Sequence, residues 1–196
     1  MGMWITEDQI LERSKSAMFK DLLKEKQREI LESWRDQVFD TYPHDAVKFL
    51  SGQKDRFANP VGHFIHTETE AILNGLIDDV DPADLAESLD KIIRIRSVQD
   101  FSPSQAVSFL RQLKDTVREK LNGELSDRQN YEQHLSFDSR IDSLIDLAFD
   151  IYSKCREQVF EIKVNEVKKR SAVLFERASR SDKHEIEKNN PNDSSL

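Results

Sequence analysis

The chain holds a single cysteine, Cys155, and only five glycines and five prolines in 196 residues. One cysteine excludes an internal disulfide framework and fits a reducing compartment. So little glycine and proline leaves too few turns for a multi-stranded sheet. No apolar run approaches the roughly 20 residues of a membrane-crossing helix. The opening, MGMWITEDQ, lacks the basic and apolar regions of a secretory leader. It meets only the loose Met-Gly-x-x-x-Ser/Thr pattern of N-myristoylation through Gly2 and Thr6, a pattern too short to carry that modification alone. A basic surplus is missing as well: the net charge is −8, which argues against a nucleic-acid binder. These absences leave a cytoplasmic protein with no membrane insertion and no nucleic-acid partner.

What is present is helical. Apolar residues make up 37% and charged residues 34%, the balance of long, partly exposed helices, and the fold class is all-α. Thr6 and Gln9 offer a first capping box. A stronger helix spans about Ser16 to Asp40, with Phe19, Leu22, Leu23, Ile30, Trp34 and Val38 along one side. Trp34 and Tyr42 read as core aromatics, and Tyr42-Pro43 stops the helix. A short helix around Ala46–Leu50 ends at Gly52. Three further starts share one logic, a polar cap followed by proline: Asn59-Pro60, Asp81-Pro82 and Ser102-Pro103. The last also places Gln105 where it can close a capping box, ahead of Ala106, Phe109, Leu110, Leu113 and Val117. Gly62, in the first turn after Pro60, would let a neighbouring helix approach closely. Asn122-Gly123 should close the Ser102 helix, with Glu124–Ser136 a polar loop of some helical content.

From Phe137 to about Arg180 the pattern is again helical, without glycine or proline. Ile141, Leu144, Ile145, Ala148, Tyr152, Cys155, Val159 and Ile162 form one stripe that should pack on the domain. A second stripe, Phe160, Val164, Val167 and Leu174, is displaced around the helix and fits a partner or dimer surface.

Two segments, FANPVG (Phe57–Gly62) and IIRIRSVQDFSPSQAVSFL (Ile92–Leu110), resemble the amino-terminal domain family of the RsbT co-antagonist protein RsbRD. The resemblance implies a bacterial helical signalling module related to the non-haem globin domains of stressosome proteins, hence a globin-like helical bundle with a long C-terminal helix. Larger members continue into a STAS domain that carries phosphorylation sites. This chain instead continues as helix after Gly123, so it is similar to the short, stand-alone members of anaerobic, sulfate-reducing bacteria. The expected organisation is an N-terminal extension (1–17), the RsbRD-like helical domain (18–122), a polar link and long terminal helix completing the bundle (123–180) and a disordered tail (181–196).

Candidate chemistry is sparse. His63 and His66 share a helix face and, with Glu70 one turn on, could approach a metal, but no further cluster completes a shell. They are also the only histidines placed to ligate a haem, since His44, His134 and His184 fall in link or tail contexts. Ordinary surface histidines fit better, and neither metal nor cofactor is expected. Asp78, Asp79, Asp81 and Asp84 read as a solvated turn with capping duty. Cys155, on an apolar stripe, reads as a buried thiol rather than a redox sensor, although Lys154 and Arg156 flank it. Arg94, Arg96 and Ser102 surround a helix start and offer an anion- or partner-binding corner; local pairing is the plainer role. No phosphate loop, nucleophile elbow or acid–base constellation appears. The expected function is therefore a non-enzymatic signalling or regulatory module that acts through protein–protein interaction, with an unnamed protein partner and a homodimeric state. The alternative is a globin-like sensor of haem or a small apolar ligand.

Overall fold

The computed structural model describes residues 7–52, 57–99 and 101–189, and every regular element among them is helical. The order is α1 (Glu7–Asp40), α2 (His44–Gly52), α3 (Pro60–Ile77), a short 3-10 turn (Pro82–Leu85), α4 (Ala86–Val98), α5 (Pro103–Lys120), a second 3-10 turn (Glu124–Ser126) and α6 (Arg128–Asn189). The fold is an all-α bundle with a long C-terminal helix. The chain divides into two compact units, Met1–Cys155 and Arg156–Leu196.

In the first unit α1 is the central member. Phe19, Leu23, Ile30, Trp34 and Val38 are all buried, at the spacing that puts them on one face. α1 packs on α5 and α3, α3 packs on α4, and α2 bridges α1 and α3. The indole N–H of Trp34 donates to the Phe109 carbonyl at 2.6 Å, and the two rings stack with centroids 6.2 Å apart. Arg35 ties α1 to α3 by donating to Thr69 Oγ1 and pairing with Glu70, each at 3.0 Å.

The proline-led starts form as the caps require. Asn59 Oδ1 accepts from the Gly62 amide at 2.8 Å. Asp81 accepts from Ala83 N at 2.8 Å, opening the 3-10 turn that leads into α4. Ser102 and Gln105 make the reciprocal capping box. The Thr6–Gln9 box lies partly outside the described residues, because Thr6 is not among them.

α6 differs from expectation at both ends. Helix replaces the expected loop from Arg128 onward, because Asp127 Oδ1 accepts from the amides of Gln129 and Asn130 at 2.9 and 3.0 Å and so caps the start. Gly123 is right-handed (φ −67°), not the left-handed closing residue expected after α5; it leads directly into the second 3-10 turn. At the far end, residues 181–189 belong to α6 rather than to an unstructured tail; the next proline is Pro191, beyond the helix. Phe137, Ile141, Leu144, Ala148, Tyr152 and Cys155 are buried in the first unit. Val159 is half-buried and Ile162 exposed, so the covered stripe stops short of the expected Ile162.

Arg140 of α6 secures the end of α3. Its guanidinium donates to Leu76 O at 2.7 Å and Val80 O at 3.2 Å and pairs with Asp79, whose φ of 59° turns the chain out of the helix. Asp78, next to it, pairs with Lys20 at 3.1 Å; the Lys20 hydrogen bond holds its carboxyl below the ordinary range.

Candidate functional site

The α4–α5 junction concentrates the polar features of the first unit. Arg96, in the last turn of α4, is completely buried. Nη1 donates to Gln105 O and Nη2 to Thr41 Oγ1, each at 3.0 Å. The guanidinium carbon lies 5.5, 5.0 and 5.2 Å from the ring centroids of Tyr42, Phe101 and Phe109. Aromatic faces and neutral oxygens thus hold a charge that has no carboxylate within 4.0 Å among the described residues. Burial pushes its pKa down, and burial likewise pushes the Tyr42 phenol up, against the opposing pull of Arg96.

On the outer side of these aromatics lies a cleft of about 610 Å³, formed by the α1–α2 link, α2, the first turn of α3 and the junction residues Gln99, Phe101 and Gln105. Tyr42, Pro43, Ala46, Leu50, Val61 and Phe101 give it an apolar wall. Tyr42 and Gln99 border the cleft, but their side-chain oxygens are screened from solvent and turn away from the open space.

The structure separates the residues of the expected anion corner. Arg94 is exposed and pairs with Asp90 at 2.5 Å, whereas Arg96 turns inward and Ser102 is engaged in its box. The buried guanidinium presents no surface to an anion, so the three side chains do not converge. His63 and His66 are half-buried on α3, His66 against the Phe39 ring at 5.3 Å, and neither lines the cleft. Glu70 is engaged by Arg35. Cys155 is buried.

One cluster escaped the sequence reading. His134, assigned to a loop, sits inside α6 and is 1% exposed, with Asn130 and Asp138 one turn to either side and also buried. Asp138 receives Arg118 at 3.3 Å and Lys114 at 3.9 Å, and lies 3.8 Å from His134 Nε2. Neither ring nitrogen of His134 makes a hydrogen bond, and burial pushes its pKa below the ordinary value. The available signal was the polar i, i+4, i+8 spacing, which a search for apolar periodicity passes over.

In the second unit, α6 residues up to Arg177 are almost all exposed. Phe160 is 69%, Val167 63% and Leu174 64% exposed, while Val164 is half-buried.

The first unit is thus a helical domain fixed by capped junctions and a buried arginine. The chain belongs to the RsbT co-antagonist protein rsbRD N-terminal domain family, whose model matches residues 28–167. The matched region runs past Gly123 well into α6. The chain is also similar to a protein of Archaeoglobus fulgidus described as uncharacterized, 25% identical over 142 residues, covering 71% of this chain and 83% of that one. No solved structure matches the chain.

Proposed function

We propose that the protein is a non-enzymatic, cytoplasmic regulatory module with a bundle of the non-haem globin kind, acting through protein–protein contact and pairing with a second copy of itself along α6. Family membership supports the regulatory role, since the family is described as the N-terminal domain of an RsbT co-antagonist protein. The observation that carries the contact is the exposure of Phe160, Val167 and Leu174. With Val164 they step by four and three residues, the a and d spacing that two helices share, apart from the break at Ser171. A helix with so little apolar cover gains stability by packing, and an identical seam on a second copy supplies it symmetrically. Ser171 and the basic run Lys168-Lys169-Arg170 keep the seam short.

Sedimentation of the Val164→Glu, Val167→Glu double variant tests this. The variant should keep its helical content and thermal midpoint while shifting from dimer to monomer. An unchanged sedimentation profile would reduce the stripe to a solvated helix face.

A further inference from the structure

We infer that the cleft between α5 and α6 in the first unit receives the distal α6 segment of a second copy, running antiparallel, so that the partner's Val167 meets Phe149 and the partner's Lys168 lies beside Asp146 and Asp150. This seating rests on the pairing of two copies along α6 and gives that pairing a direction and a receiving surface.

The cleft holds about 650 Å³, with Pro103 and Val107 from α5 and Ile145 and Phe149 from α6 as its apolar lining. Phe149 is 49% exposed, and an open aromatic among apolar neighbours is the kind of anchor that a docked helix covers. Asp146 and Asp150, three residues before it and one after, line the same cleft and are exposed. Neither makes an ion pair among the described residues, whereas Asp142 is held by Lys114 at 2.9 Å. Arg111 on the opposite rim is one cation against two carboxylates, so the lining is acidic on balance.

The distal segment carries the complementary set. Val167 is 63% exposed, and Lys168 and Lys169 follow it, exposed and without an ion pair among the described residues. Arg170, by contrast, pairs with Glu166. Residues 163–170, KVNEVKKR, hold four cations and one carboxylate. Each surface thus has an uncovered apolar residue beside charges that find no opposite within their own chain.

Charge also sets the direction. Parallel helices bring each residue against its own copy, so Asp146 and Asp150 would meet the same carboxylates and Lys168 to Arg170 the same cations. Like charges brought together oppose pairing. Antiparallel helices bring the basic stretch to the acidic rim instead, and a two-fold axis makes that contact twice.

Sedimentation equilibrium of charge-reversed full chains tests this. Asp146→Lys with Asp150→Lys should raise the dimer dissociation constant about tenfold, and Lys168→Glu with Lys169→Glu should do the same. The quadruple variant, which exchanges the two signs, should return to within about threefold of the native value. All four positions are exposed, so thermal midpoints should stay native. If the aspartate reversal does not fold, the lysine reversal in the second unit carries the same test. In a parallel pair either reversal would leave like charges facing like, and the dimer would be unchanged. Dimers unchanged by both reversals, or a quadruple variant weaker than either pair alone, would overturn the antiparallel seating and leave the pairing itself standing. A native chain that sediments as a monomer would overturn the pairing along α6, and the seating with it.

Discussion

Asn59 and Gly62 are fitted to each other at the α2–α3 junction. The Gly62 amide donates to Asn59 Oδ1 at 2.8 Å, while Asn59 Nδ2 donates to Phe49 O and Leu50 O at 3.0 and 2.9 Å. One buried amide therefore caps the start of α3 and the end of α2 together. A Cβ on Gly62 would stand 2.3 Å from Leu50 O and 2.1 Å from Asn59 Nδ2, so only glycine lets the two helix ends meet. This explains the FANPVG segment: its asparagine and glycine are one device.

Gly62→Ala separates two opposed effects. Helix propensity alone would make alanine stabilising by roughly 1 kcal/mol. The clash with backbone and cap should reverse the sign, giving a loss of about 1–3 kcal/mol. Urea titration reads the sign directly, and a stabilised variant would mean that the junction is looser than described.

Ser102 and Gln105 make the other junction. The Gln105 amide donates to Ser102 Oγ at 3.4 Å, and Ser102 N donates back to Gln105 Oε1 at 2.9 Å. Ser102→Ala should cost about 1 kcal/mol and Ser102→Gly only a few tenths. Equal midpoints for all three proteins in denaturant would show that the cap contributes nothing.

Arg96 should distinguish charge from shape. Its acceptors are neutral, and Gln105 O and Ala106 O belong to a helix that can satisfy them, so Arg96→Met orphans little and should cost less than about 2 kcal/mol. Arg96→Lys keeps a buried charge without the planar fork that reaches both sides and should cost about 3 kcal/mol. Chemical denaturation ranks the two, and a lysine variant more stable than the methionine one would contradict the geometry.

His134 gives the acid limb of stability a defined origin. Burial depresses its folded pKa below the ordinary 6.5, with Arg118 and Lys114 adding to the depression and Asp138 opposing it. The unfolded chain therefore takes up the proton first, and stability at neutral pH is lost progressively as the pH falls below about 6.5, levelling off below the folded pKa. Since both ring nitrogens lack partners, His134→Leu should fold with little or no loss at pH 7 and show a flatter stability curve between about pH 7 and 5. Thermal melts across that range compare the two, and parallel curves would exclude His134 as the source.

The three proline-led starts were legible because a cap is a local transaction among four residues, independent of the rest of the fold. The start of α6 was not, although Asp127 is an ordinary capping residue. Its first buried face is polar, Asn130, His134 and Asp138, so the apolar period that signals a helix is silent there. The cleft was equally hidden, since Tyr42, Leu50, Val61 and Phe101 converge from segments that no sequence spacing relates. Arg96 shows a third limit: charge predicts exposure, and only the aromatic faces of Tyr42, Phe101 and Phe109, gathered by tertiary packing, overturn it.

Arg140 gives the fold a temporal order. The residue that satisfies Leu76 O lies 64 positions downstream, so during synthesis the end of α3 leaves the ribosome long before its donor does. Until then Leu76 O keeps only the 3.4 Å bond from the Asp79 amide, and Val80 O and the side chain of Asp79, at the left-handed turn, lack the guanidinium. A nascent chain halted near residue 122 would already contain every proline-led helix start, yet its α3–α4 corner would remain unlatched. Completion of the first unit thus waits on α6, whose arginine latches the α3–α4 corner.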